Sequence, residues 1–142
     1  MIDEKDYGTS IGADDVQKTV REQHRHILVL FQLYLSAEAD SRKPIVDQIL
    51  DQLASHFQAE EEMLYSVIQN ASEPGPHFVQ EALLEHDEIK AMMTELQQAE
   101  TDDDQALDEF FEDMMQTVRA HFLTEERDMF PLLATLPIKG LG

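Results

Sequence analysis

With 142 residues the chain is long enough for one domain with a real core, and its lack of cysteine excludes disulfides, thiolate zinc sites, iron–sulfur clusters and cysteine nucleophiles. Its formal charge of -20, from 30 acidic and 10 basic side chains, repels phosphate backbones and anionic membrane surfaces, so neither a nucleic-acid nor a membrane partner is expected. Any metal must be held by nitrogen and oxygen. The opening Met1-Ile2-Asp3-Glu4-Lys5-Asp6 lacks the basic flank and apolar run of a secretory signal, and no stretch approaches the roughly 20 apolar residues that span a bilayer, so a soluble, cytoplasmic protein is expected.

Residues 1–13, with Gly8, Thr9, Ser10 and Gly12, show no sustained period and read as a loose lead-in. From Asp14 and Asp15, either of which can cap a first turn, Val20, His24, Ile27, Phe31 and Tyr34 recur at helical steps and predict a first helix to about Ala39. Asp40 to Pro44 reads as a short connection, with Pro44 in the tolerant first turn of the next helix. Ile45, Ile49, Leu53, His56, Glu60, Leu64 and Val67 then mark one face of a second helix to about Asn70. The run Ala71-Ser72-Glu73-Pro74-Gly75-Pro76 ends it.

A third helix carries Val79, Leu83, His86, Ile89, Met93 and Leu96 on its inner face. Asp102-Asp103-Asp104 suits the positive end of a helix dipole and opens a fourth, whose inner face reads Leu107, Phe111, Met114, Val118, His121, Glu125 and Met129, with Pro131 in its last turns. The expected fold is all-α: one domain over residues 14–135, an antiparallel up-down-up-down four-helix bundle, followed by a tail over 136–142.

The two halves repeat one another at residues that a plain bundle would make apolar. His24-x-x-Ile27 and His56-Phe57-x-x-Glu60-Glu61 in the first half answer to His86-x-x-Ile89 and His121-Phe122-x-x-Glu125-Glu126 in the second. Residues four apart on a helix differ by only about 40° around the axis, so Glu60 shares the face of His56 and Glu125 that of His121. Glu61 and Glu126 fall about 140° away from their histidines and are expected in solvent. Buried carboxylates and imidazoles are costly without a partner, and a metal cation would compensate all six groups together.

His26 is the alternative to His24, because residues 27–31 are apolar all round, but the repeat favours His24. His77, just after the Pro-Gly-Pro turn, is assigned to the surface. Met63, Met92, Met93, Met114, Met115 and Met129 read as packing rather than copper ligands. For Tyr34 and Tyr65, core packing and a place beside the metals are equally open.

This pattern resembles the hemerythrin-like family, in particular its HHE cation-binding branch, from about Asp14 to Leu133. The resemblance implies two iron ions with an oxo or hydroxo bridge, Glu60 and Glu125 bridging, His24 and His56 on one iron and His86 and His121 on the other. Manganese or zinc also suits imidazole with carboxylate. Oxygen-carrying hemerythrins have a further histidine on the third helix, where this chain offers Ala82 and Lys90, and they use an aspartate one residue further on in place of Glu125. That difference leaves an open position on each iron. It implies a protein that binds dioxygen, nitric oxide or peroxide, or senses iron or redox state. The alternatives are a diiron enzyme of peroxidase, oxidase or nitric-oxide-handling type, and a metal-dependent regulatory module.

Overall fold

The structure, a computed structural model, describes residues 12–136, so most of the expected lead-in and tail lies outside the described residues. Its elements are α1 (Ala13–Ser36), α2 (Ala39–Ala59), a π-helical segment π1 (Glu60–Tyr65), α3 (Ser66–Gln69), α4 (Gly75–Gln97) and α5 (Asp104–Ala134). Because α2, π1 and α3 follow without a break, the described residues form four helical rods, and no strand occurs among them.

Helix ends differ from the sequence expectation where local chemistry is permissive. Gly12 occupies the cap of α1 without a side-chain hydrogen bond, and Asp14 and Asp15 lie inside the first turn, where they complement the helix dipole. The first turn between rods is only Ala37-Glu38, so Asp40 to Pro44 belong to α2 rather than to a connection. Pro44 is tolerated there because the bond it omits would go to the carbonyl of the exposed Asp40, which water can satisfy. Asp103 caps α5 as its position in the acidic run suggests, its Oδ1 accepting the Ala106 amide at 3.2 Å. At the start of α4 a side chain on Gly75 would meet the Ile68 carbonyl oxygen at 2.5 Å, so only glycine allows α4 to turn back this closely on α3.

Each rod buries the stripe that its periodicity marks, and the buried residues form two separate apolar clusters. The first gathers Ile27 to Tyr34 of α1, Ile49 to Phe57 of α2, Ile89 and Met93 of α4, and Phe111 to Phe122 of α5. The second gathers Val16 and Val20, Leu64 to Ile68, Val79 and Ala82, and Met129 to Leu133. Leu83 is an exception to the expected stripe: it is exposed and Ala82 takes the inward position. At about 100° per residue Leu83 sits roughly 80° from the centre of the face defined by Val79, Ala82, His86, Ile89 and Met93. Between the two clusters lies a layer of six buried polar groups, with at least one histidine from every rod. Among the described residues, no helix is long and apolar enough to cross a membrane.

Candidate metal centre

The polar layer is His24 from α1, His56 from α2, Glu60 from π1, His86 from α4, and His121 and Glu125 from α5, all buried. These are the six residues that the repeat singles out. His24 is buried whereas His26 is exposed, and the exposed His77 lies 3.3 Å from Glu81 on its own helix. Two four-residue groups emerge, His24, His56, Glu60 and Glu125, and Glu60, His86, His121 and Glu125, in each of which the donor atoms lie within 4.8 Å of one another. Glu60 and Glu125 belong to both groups, so the two constellations share an edge made of carboxylates.

Each of the four buried imidazoles is held from outside by its Nδ1. His24 meets Glu126 Oε2 at 2.8 Å, His86 meets Glu61 Oε2 at 2.9 Å, His56 meets Gln23 Oε1 at 2.7 Å and His121 meets Glu85 Oε1 at 2.6 Å. All four partners accept, so each Nδ1 carries the proton and each Nε2 presents its lone pair inward. Glu61 and Glu126 are therefore not merely solvated, as their angular offset suggested. They are partly exposed, yet each reaches across to the histidine of a neighbouring rod. Spacing along one helix does not reveal such cross-rod pairs. Aromatic contacts hold the rings as well: Phe122 stacks on His24 at 3.9 Å and Phe57 packs tilted against His86 at 4.1 Å, centroid to centroid.

Inside the layer, His24 Nε2 lies 3.0 Å from Glu60 Oε2 and 3.1 Å from Glu125 Oε1, and His86 Nε2 faces His121 Nε2 at 3.0 Å. His56 Nε2 comes to 2.9 Å from Glu60 Oε2 but without hydrogen-bond geometry, and it is a buried nitrogen left unpaired. Lone pairs aimed at carboxylate oxygens and at each other are repulsive unless a cation or extra protons stand between them. The donor set therefore fits a cation, with imidazole and carboxylate suiting iron, manganese or zinc.

With protons as the only counter-charge, the same conflict appears as displaced pKa values. Burial pulls His24 and His121 down, but hydrogen bonds and charge from Glu125 and Glu60 outweigh it and raise them to about 9 and about 11. Burial pushes the Glu60 carboxyl up, yet the polar groups of Glu125, His121, His24 and His56 around it hold it well below the usual carboxylate range. Tyr65 is driven far above an ordinary phenol by burial and by the Glu125 and Glu60 carboxylates.

Of the two tyrosines left open by the sequence, Tyr34 lies away from the layer and donates to Asp108 at 2.8 Å. Tyr65 lies inside it: its hydroxyl donates to Glu125 Oε2 and stands 2.9 Å from His86 Nε2 and 3.3 Å from Glu60 Oε1. The π segment explains how. A ladder bonded over five residues winds less per residue than one bonded over four, so Tyr65, five residues beyond Glu60, comes round to the same face. The sequence carries no evident signal for this local change of winding. Lys90 points outward and donates to Glu61 at 3.3 Å.

Four helical rods around a buried His/Glu layer define an all-helical protein whose core is compatible with metal binding. The model of the hemerythrin HHE cation binding domain matches residues 15–133, and the chain belongs to that family. No curated protein and no solved structure matches the chain.

Proposed function

We propose that this chain is a non-haem diiron protein that binds dioxygen or a related small ligand such as nitric oxide or peroxide, and through it responds to redox state. The observation that carries the reading is the pair of four-donor groups sharing Glu60 and Glu125, since two cations that share both carboxylates must lie side by side. In this reading His24 and His56 would hold one iron and His86 and His121 the other, with Glu60 and Glu125 available to both. An antiparallel up-down-up-down order of the rods belongs to it. That order is supported by the way successive rods meet the two apolar clusters in opposite sequence.

When bound, an iron pair of this kind supplies reversible ferrous–ferric chemistry and positions for small ligands. The residues do the rest. Gln23, Glu61, Glu85 and Glu126 keep each Nδ1 protonated and each Nε2 free to donate its lone pair. Phe57 and Phe122 lock the rings and exclude water, and the apolar clusters on both sides make the layer dry.

Anaerobic mixing of the ferrous protein with dioxygen or nitric oxide in a stopped-flow spectrometer tests this reading. A spectral adduct that forms once and releases its ligand is expected. Repeated consumption of dioxygen or peroxide without an accumulating adduct would replace binding with catalysis.

A further inference from the structure

The two halves of the centre correspond contact by contact, with Gln23 in one where Glu85 stands in the other, except at one place. His24 with Glu126 corresponds to His86 with Glu61, and His56 with Gln23 corresponds to His121 with Glu85. Tyr65, however, corresponds to Phe130, which remains in α-helical geometry and stacks near His24 with centroids 6.4 Å apart. One half of the centre thus contains an additional oxygen donor and the other contains a hydrocarbon ring.

We propose that Tyr65 ligates the iron held by His86 and His121 through its phenolate oxygen, so that the two irons are inequivalent and the small ligand binds at the His24/His56 iron. The inference rests on the diiron reading above.

Ligands on bonds of about 2.1 Å at right angles to one another stand about 3 Å apart. The Tyr65 oxygen lies 2.9 Å from His86 Nε2, 3.4 Å from His121 Nε2 and 3.3 Å from Glu60 Oε1, and touches Glu125 Oε2. These are the four donors of one group and only that group, so the phenol stands where a further ligand of a single ion would. A hydrogen bond to Glu125 alone would not require the oxygen to be near both histidines. The π segment begins at Glu60 and ends at Tyr65, joining the two oxygens in one local distortion of the helix. Ligation exchanges the phenol proton for the cation, and the proton leaves to water.

The test is resonance Raman and visible absorption of the full chain, loaded with ferrous iron and oxidised with dioxygen, alongside iron analysis. Wild type and Tyr34→Phe are expected to show iron-enhanced tyrosinate ring vibrations and a phenolate-to-iron band; Tyr65→Phe should keep its iron and lose both. Full iron content without these vibrations in wild type, or vibrations persisting in Tyr65→Phe, overturns the ligand assignment and leaves the diiron reading standing. A wild type that holds no iron overturns both. If circular dichroism shows Tyr65→Phe unfolded, the Tyr7→Phe/Tyr34→Phe variant decides, since Tyr65 is then the last of the three tyrosines. Vibrations in that variant support the assignment and their absence overturns it.

Discussion

His24 Nδ1 and Glu126 Oε2 stand 2.8 Å apart, and this contact decides which ring nitrogen of His24 faces the centre. Glu126 directly follows Glu125, so one short stretch of α5 both supplies a shared carboxylate and orients the imidazole of α1. Glu61 does the same for His86 after Glu60, at 2.9 Å. Each rod is thereby tied to the histidine of another.

Removing such an outer partner should weaken metal binding without emptying the site. Glu126→Ala and Glu85→Ala are expected to lower iron affinity by about 10–100-fold, measured by competition with a chelator. Glu62→Ala, at an exposed position beside the same motif, should leave the affinity unchanged. Equal affinities in all three variants would remove the orienting role assigned to these carboxylates.

The metal-free chain should lose stability as it is made alkaline. His24 and His121 have folded pKa values of about 9 and about 11, above the unfolded value of 6.5. The folded state therefore holds protons that the unfolded chain has released. Their contribution is complete below about pH 6.5 and is lost as pH rises through the two folded values. Thermal unfolding of metal-free protein from pH 7 to pH 11 should show Tm falling, and iron-loaded protein should fall less because the cations replace those protons. A Tm of the metal-free chain that holds steady or rises over this range would contradict the charge balance described for the layer.

The apolar clusters and the centre should be separable by mutation. Leu53 is fully buried in the first cluster, one turn from His56 and outside both four-donor groups. Leu53→Ala should cost about 2–5 kcal/mol in urea unfolding of the metal-free protein. Its iron content after loading should match wild type. A drop in iron content as large as that of a ligand variant would show that the cluster and the centre are one unit.

Much of this organisation was legible in the sequence because helical periodicity and ligand spacing obey the same geometry. A four-residue step places Glu60 with His56 and Glu125 with His121, and the repeat picks His24 over the nearby His26. Contacts between rods were not legible. The pairs His56 with Gln23 and His121 with Glu85 depend on how one helix is rotated against another, which no single-helix pattern encodes. The place of Tyr65 was hidden for a different reason: an ideal α-helix would carry it about 140° from Glu60, and the π segment cancels that offset. The start of α2 lies earlier than Pro44 suggests, because a helix tolerates proline one turn beyond its first when the orphaned carbonyl is exposed.

Iron analysis of ligand variants tests the central claim most directly. Protein produced with iron should carry about two iron atoms per chain, with absorption from an oxygen bridge between them. His56→Ala and His121→Ala should each lose one iron or most of the metal, while the exposed His77→Ala keeps the wild-type content. A wild type without iron, or the same iron content in all three variants, would contradict the assignment of the buried His/Glu layer as a diiron centre.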